Sequence, residues 1–268
     1  MSDVNPMALP FADQAEQYEL GRPGWPEDAI AGLIERLDAH TVLDLAAGTG
    51  KLTRVLAAHA DEVVAVEPLD GMRRVLEERV PRARPLADTA EAIPLPDDSV
   101  DAVFVAEALH WFDLPRALDE IARVLRPGGA LVVMWNAVGD DDEEPWFKDL
   151  AAAVMEHALE RSGATLRESQ PWRETIEADA RFGPLRDEEA PHVQRTDRDR
   201  VVAMIASFSA IAGLPADRRA RALAAFRDVL DRHGVTEWTL RYRAQITTTQ
   251  LKRSGSNGPS STSVGSPQ

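Results

Sequence analysis

Short apolar runs alternate with segments of helical periodicity through the first half of the chain, and this alternation restricts the fold more than any other feature. Residues 29–37, for example, carry apolar residues at helical spacing. Buried strands are predicted over residues 41–46, 62–66, 84–87, 100–105 and 130–135. Because strands that alternate with helices form a parallel sheet covered on both faces, the sequence predicts an α/β, doubly wound fold.

The second half of the chain is less regular but continues the pattern. Helices are predicted over residues 145–159, 197–211 and 215–232, and residues 192–195 and 239–247 alternate like strands. We interpret these two segments as the last strands of the same sheet, which then has seven mostly parallel strands. Ligands bind at the carboxyl edge of such sheets. The later helices would lie over this edge and shape a substrate pocket.

Composition excludes several kinds of protein. The 268 residues include no cysteine, which excludes disulfides, thiolate metal sites and a cysteine nucleophile. No apolar run approaches the roughly 20 residues that span a bilayer, and the first ten residues do not resemble a signal peptide. The formal net charge of -15 disfavours nucleic acid and anionic membranes as partners. We therefore expect a cytoplasmic monomer or homodimer that binds neither nucleic acid nor membrane.

A glycine-rich turn at residues 44–50 (DLAAGTG) follows the first predicted strand. A phosphate-binding P-loop is excluded because Leu45 occupies its first glycine position. A dinucleotide fingerprint lacks its third glycine, which is Thr53 here. The pattern D-x-G-x-G-x-G fits if Ala46 replaces the first glycine, and alanine is tolerated there if the backbone φ stays negative. A tight turn that binds no ligand remains an alternative.

Four segments in the same order resemble class I S-adenosylmethionine-dependent methyltransferases. They are the turn just described and residues 88–96 (DTAEAIPLP), 103–112 (VFVAEALHWF) and 123–129 (RVLRPGG). Residues 11–26 (FADQAEQYELGRPGWP) resemble the N-terminal segment of small-molecule methyltransferases similar to the trans-aconitate and ubiquinone/menaquinone types. The resemblance covers most of residues 11–247. It implies a Rossmann-like fold and S-adenosyl-L-methionine as cofactor, with S-adenosyl-L-homocysteine as product.

The predicted organisation follows from these segments. Residues 1–10 are expected to be flexible, and the Ser/Gly/Pro-rich residues 251–268 are expected to be disordered. Residues 11–250 are expected to form a single methyltransferase domain. Within it, residues 11–40 would supply helices that cover the cofactor and residues 41–136 would bind it. Residues 137–250 would shape the substrate site and supply the last strands.

The cofactor contacts are predicted from position. Glu67 ends the second strand, where a carboxylate can accept both hydroxyls of a ribose, and Pro68 could pack on the adenine. The resemblance places the contact to the adenine amine at Asp88 or Thr89. It also implies that Tyr18 and Arg22 close over the cofactor, with Arg22 near the methionine carboxylate; the alternative is that both belong to a proline-braced entry to the first helix. The remaining predicted contacts are Asp44, Ala46, Gly48, Gly50, Ala90, Glu91 and Ala106.

Methyl transfer requires mainly proximity and orientation, with a base only if the accepting atom carries a proton. His110 follows the fourth strand and is the candidate base, because histidine titrates near neutral pH. Its alternative role is to shape the pocket or cap a helix. Trp111 and Trp135 could form an apolar wall or could belong to the core. No H-x-x-x-H or clustered acid pattern is present, so we expect no metal.

Three polar residues are candidates for contact with the substrate. Asn136 ends the fifth strand and could donate or accept a hydrogen bond. His192 and Arg195 lie on a later strand and could face an acidic substrate group, although a surface ion pair is the alternative for Arg195. The sequence thus predicts methyl transfer to a small-molecule acceptor by in-line displacement. The alternative is a protein that binds S-adenosylmethionine or S-adenosylhomocysteine in a non-methylating or regulatory role.

Overall fold

A seven-stranded sheet forms the centre of the computed structural model, which describes residues 9–138, 144–159 and 172–253. The strands are β1 (Thr41–Leu45), β2 (Glu62–Val66), β3 (Arg84–Leu86), β4 (Val100–Ala106), β5 (Leu125–Val138), β6 (Arg186–Asp197) and β7 (Glu237–Gln250). Their spatial order is β3-β2-β1-β4-β5-β7-β6. Strands β1 to β5 run parallel, and β7 pairs antiparallel with both β5 and β6. The prediction of a mostly parallel, seven-stranded, doubly wound sheet is therefore confirmed.

Helices connect the strands and cover the sheet. They are α1 (Ala15–Gly21), α2 (Glu27–Leu37), α3 (Lys51–His59), α4 (Asp70–Arg79), α5 (Leu114–Val124), α6 (Pro145–Leu159), α7 (Trp172–Ala178), α8 (Arg198–Ala206), α9 (Ser209–Ala212) and α10 (Ala216–Arg232). Two 3-10 helices occupy Leu9–Gln14 and Leu109–Trp111. No helix in the described ranges is long and apolar enough to cross a bilayer.

The core consists of one apolar cluster on each face of the sheet, because side chains alternate along a strand. Leu43 of β1 lies in the cluster that also contains Ile121 of α5. Val42, the preceding residue, lies in the opposite cluster with Leu33 of α2 and Leu56 of α3. The apolar runs of the central strands are thus explained by burial on both sides.

A third apolar cluster belongs to the C-terminal helices. It joins Leu150 of α6, Ile205 of α8 and Phe226 of α10 to Tyr242 of β7. Helix α1 packs so closely on α8 that a Cβ added at Gly21 would lie 2.1 Å from the backbone nitrogen of Met204. Helices from both ends of the chain therefore meet beside the sheet.

The last three strands are longer than the sequence indicates. Residues 130–135 are predicted for the fifth strand, whereas β5 spans Leu125–Val138 and pairs with β7 from Ala130 to Val138. Strand β6, predicted over 192–195, pairs with β7 along its whole length. Pairing with β7 therefore extends β5 and β6 beyond the residues whose apolar pattern predicts a strand. Helix α7 was not predicted.

The helix predicted over residues 197–211 is interrupted. Helix α8 ends at Ala206, and α9 begins only at Ser209. The hydroxyl of Ser207 between them donates to the carbonyl of Met204 at 2.7 Å, and such side-chain bonds compete with helical ones. This break places Ser207 against Arg22, as described below.

The predicted ends of the chain are described only in part. Residues 1–8 of the predicted flexible N-terminus and 254–268 of the predicted tail lie outside the described residues. Leu251 forms a bridge with Phe182, and Lys252 donates from Nζ to the carbonyl of Ala180 at 2.8 Å. The first residues of the predicted tail thus pack against the sheet.

Candidate active site

A cavity of about 440 Å³ lies at the carboxyl ends of β1, β4 and β5. The strand order reverses between β1 and β4, and ligands bind at such switch points in open α/β sheets. Four parts of the chain line it: the N-terminal segment, the glycine-rich turn, the ends of β4 and β5, and the C-terminal helices with β7. Representative lining residues are Tyr18, Arg22, Trp25, Asp44, Ala46, Lys51, Ala106, Glu107, Asn136, Phe147, Leu150, Met204, Phe208 and Tyr242.

The turn after β1 has left-handed backbone at three positions. Gly48 and Gly50 have φ values of 59° and 85°, which glycine adopts without strain. Ala46 has a φ of 60°, so the condition under which alanine is tolerated at the first glycine position is not met. A non-glycine residue in this conformation is strained, and such strain is concentrated at functional sites.

The side chain of Asp44 links the start of the turn to helix α3. Its side chain is buried and accepts a hydrogen bond from the hydroxyl of Thr53, with 2.6 Å between the oxygens. Burial raises the pKa of Asp44 to about 7. The carboxyl group thus ties the turn to α3.

Glu67 lies next to the turn, at the carboxyl end of β2, and is 4% exposed. One carboxylate oxygen accepts the backbone N–H of Gly48 at 2.9 Å, and the other accepts that of Leu69 at 2.8 Å. Burial raises the pKa of Glu67 to about 7. Each oxygen of a carboxylate can accept a further bond, so this fixed group fits the two hydroxyls of a ribose.

The N-terminal segment is bound to the turn through Glu19. Its carboxylate accepts the hydroxyl of Thr49 at 2.7 Å and the guanidinium of Arg54 at 2.9 Å. Lys51 is 3.7 Å from the same carboxylate, and burial lowers its pKa. Helix α1 is therefore fixed over the turn.

Arg22 connects this segment to the C-terminal helices. Its Nε donates to the hydroxyl of Ser207 at 2.8 Å and its Nη2 to the carbonyl of the same residue at 3.0 Å. The guanidinium carbon lies 5.2 Å from the ring centre of Tyr18 and 4.9 Å from that of Phe208. Tyr18 and Arg22 thus line the cavity, and Arg22 lies between the turn after β1 and the C-terminal helices.

The segment predicted to hold the adenine lies beyond β3 and does not line this cavity. Asp88 accepts the backbone N–H of Thr89 at 3.0 Å, whereas the hydroxyl of Thr89 is buried with no hydrogen-bond partner in the described part of the chain. Ala90 belongs to the core. Glu91 accepts the backbone N–H of Asp113 at 2.8 Å, so its carboxylate braces the loop before α5.

His110, Trp111 and Trp135 form an aromatic group that does not line the cavity. The ring of His110 is centred 4.5 Å from that of Trp111 and 5.4 Å from that of Trp135. Alternation along β5 turns Trp135 into the core beside Leu131 and Val133. The structure therefore does not bring the candidate base to the cavity.

Asn136 lines the cavity, and His192 lies behind it. Nε2 of His192 is 2.7 Å from the side-chain oxygen of Asn136, whose amide nitrogen donates to the carbonyl of Gly24 at 3.2 Å. Burial lowers the pKa of His192, and its ring stacks on Tyr242 at 5.3 Å. Arg195 is exposed on β6 and does not line the cavity.

Several lining residues were not predicted. Lys51 directly follows the glycine-rich turn and Glu107 lies within residues 103–112, a segment that the sequence analysis singled out, so position alone could have suggested both. The lining residues of α6 and α8 carry no local signal, because ordinary helical periodicity explains them. No group of three or more His, Asp or Glu side chains in the described ranges is arranged to hold a metal.

Comparison with known proteins agrees with this geometry. Residues 43–133 match the family model described as a methyltransferase domain. An uncharacterized methyltransferase of Mycobacterium tuberculosis is 37% identical over 227 residues, which cover 85% of this chain and 88% of that relative. An uncharacterized methyltransferase-like protein of Schizosaccharomyces pombe is 33% identical over 213 residues, covering 78% and 81% respectively.

The fold is found in solved structures as well. A candidate type II methyltransferase from Anaeromyxobacter dehalogenans matches with a TM-score of 0.60 and 22% identity, over 87% of this chain and 99% of that one. The similarity at the level of sequence extends over most of both chains, and the sheet order and the turn after β1 agree with it. The chain therefore belongs to the class I S-adenosylmethionine-dependent methyltransferases.

Proposed function

We propose that this methyltransferase binds S-adenosylmethionine across the turn after β1 and transfers the methyl group to a small, largely apolar molecule. One observation carries the proposal: a single cavity joins the turn and its charged neighbours to an apolar compartment built by the C-terminal helices. Its volume of about 440 Å³ is within the range of small-molecule sites, roughly 300–1,000 Å³.

The residues on the turn side fit the cofactor. Glu67 is held by two backbone N–H groups with accepting capacity left for the ribose hydroxyls. The hydroxyl of Thr89, which is buried and has no hydrogen-bond partner among the described residues, lies in the segment beyond β3 where the resemblance places the adenine. Arg22 and Lys51 supply positive charge for the methionine carboxylate. When bound, S-adenosylmethionine supplies a methyl group activated by its sulfonium.

The other side of the cavity supports an apolar acceptor. Phe147, Leu150 and Val154 of α6 face Met204 and Phe208 across it. Val138 and Met155 also line the cavity and are themselves exposed apolar side chains. These side chains would exclude water and orient the acceptor, which is the main contribution that methyl transfer needs from a protein.

Calorimetric titration of the full chain tests the cofactor. We expect binding of S-adenosylmethionine and S-adenosylhomocysteine but not of NAD. Replacing Glu67 with alanine should weaken the binding of S-adenosylhomocysteine by roughly 10- to 100-fold, the value of about one hydrogen bond to a charged group. The control is Glu62→Ala, an exposed glutamate at the opposite end of the same strand, which should leave the affinity unchanged.

A screen of acceptors tests the second half of the proposal. Formation of S-adenosylhomocysteine would be followed with matched pairs of small alcohols, acids and amines that differ only in an alkyl or aryl group. Turnover should be confined to the apolar member of a pair. Turnover with the polar members alone would contradict the proposal. So would a dissociation constant for S-adenosylhomocysteine that is unchanged in Glu67→Ala. Cofactor binding without turnover of any acceptor would favour the non-methylating alternative.

A further inference from the structure

Glu107 is a cavity-lining carboxylate held in an unusual backbone conformation directly after β4. Its φ is 56°, in the left-handed region that non-glycine residues rarely adopt. Its backbone N–H continues the sheet by donating to the carbonyl of Met134 at 2.9 Å, and one carboxylate oxygen accepts the backbone N–H of Asn136. The strained backbone and this bond to β5 together fix where the carboxylate lies.

The other ionisable groups that line the cavity are less accessible than Glu107 or are poor proton acceptors. Asp44 is 1% exposed and lies beneath the turn, whereas Glu107 is partly exposed. Lys51 is a cation that is paired with Glu19. Arg22 donates to Ser207.

The two lining tyrosines hold their protons firmly. Burial is the largest cause of the raised pKa of Tyr18, with Arg22 opposing the rise and Glu107 adding to it. Burial raises the pKa of Tyr242 to about 12. Glu107 is therefore the lining group whose chemistry best suits proton acceptance.

The order of the strands places Glu107 relative to the cofactor. Glu67, the proposed ribose ligand, ends β2, and the turn that follows β1 lies beside it. Strand β4 lies on the side of β1 opposite to β2, at one strand spacing of ~5 Å from β1. A cofactor held by its ribose at Glu67 and by its methionine at the turn would lie beside the end of β4, where Glu107 lines the same cavity as the turn.

We infer that Glu107, rather than His110, carries the negative charge that faces the methyl-transfer point and accepts the proton of the acceptor. This inference rests on the proposed function. A lone pair of the accepting atom forms a bond to the methyl carbon, and the carbon–sulfur bond breaks with its electron pair passing to sulfur. The proton on the accepting atom passes to a carboxylate oxygen of Glu107 and is then lost to water. His110 lies outside the cavity lining, against Trp111 and Trp135.

Sinefungin tests the inference without an acceptor, because it carries a charged amine where S-adenosylmethionine carries the sulfonium methyl. The dissociation constants of sinefungin and S-adenosylhomocysteine would be measured by calorimetry on the full chain. The wild type should prefer sinefungin. Glu107→Gln, which keeps an acceptor for the N–H of Asn136, should reduce this preference tenfold or more while leaving S-adenosylhomocysteine unchanged.

Two further variants complete the design. Glu107→Asp keeps the charge and should retain most of the preference, whereas the exposed Glu62→Gln should retain all of it. Circular dichroism would show that each variant is folded. An undiminished preference in a folded Glu107→Gln overturns the inference, as does equal weakening of both ligands, which would place Glu107 at the methionine. If the wild type binds neither ligand, the proposed function itself fails.

Discussion

Replacing Ala46 with glycine should make the protein more stable, which is the reverse of the usual effect of this substitution. Alanine at a φ of 60° is strained, and left-handed backbone costs an L-residue roughly 1–2 kcal/mol. Glycine removes that strain but gives the unfolded chain more freedom, which costs about 0.4–1 kcal/mol. The net expectation is a gain of about 0.5–1 kcal/mol in the free energy of unfolding.

The neighbouring Ala47 provides a matched control. Its φ is not positive, so the change to glycine brings only the entropic cost. Ala47→Gly should therefore lower the free energy of unfolding by about 0.4–1 kcal/mol. Both substitutions remove one methyl group from the same turn, yet their effects on stability should have opposite signs.

Thermal unfolding followed by circular dichroism, together with urea titration, would measure both variants. For a chain of this size, 1 kcal/mol corresponds to roughly 2–4 °C in Tm. Ala46→Gly should therefore raise Tm by about 1–4 °C, and Ala47→Gly should lower it by a similar amount. Two shifts of the same sign, or a Tm of Ala46→Gly at or below that of the wild type, would refute the argument from strain.

Three further predictions follow from single contacts. Gly21→Ala should lose about 1–3 kcal/mol of stability, because its Cβ would lie 2.1 Å from the backbone nitrogen of Met204. Gly24→Ala, with nothing within 4 Å of the added Cβ and no positive φ, should instead gain about 0.4–1 kcal/mol. Thr89→Val should keep or raise Tm without ligand, since the hydroxyl it removes is buried and unpartnered within the described residues; a clear fall in Tm would show a missed partner. Burial raises the pKa of Asp44 from 3.8 to about 7, so the folded state binds the proton of this carboxyl more tightly than the unfolded state does. The wild type should therefore lose stability relative to Asp44→Asn as the pH rises from about 4 to 7. A Tm difference between these two proteins that is the same at pH 5 and pH 8 would contradict this.

The arrangement of residues around the turn after β1 could be predicted in part from the sequence. Asp44, Gly48 and Glu67 are separated by short distances along the chain, and each follows or ends a strand whose apolar run is evident. Because parallel strands bring their carboxyl ends to one edge, recognising the strands was enough to place these residues together. Tyr18 and Arg22 were predicted from the resemblance alone, and both line the cavity.

The acceptor side could not be predicted in the same way. Whether a residue near a strand end faces the cavity or the core depends on the alternation of side chains along the strand. A shift of one residue exchanges the two faces. Trp135 and Asn136 are neighbours, yet Trp135 is in the core and Asn136 lines the cavity. His110 lies in the 3-10 helix after β4, where its ring packs against Trp111 and Trp135 and does not line the cavity.

The sequence by itself determined the class of fold, the order of the strands along the chain and the position of the turn, since these follow from periodicity and from glycine at left-handed positions. Only the tertiary structure decided which residues complete the site. The lining residues of α6, α8 and β7 are ordinary apolar positions in the sequence, and they become a pocket because the antiparallel β7 brings Tyr242 back beside β5. Glu107 likewise acquires its place from a backbone angle and a hydrogen bond to β5, and neither is visible in the order of the residues.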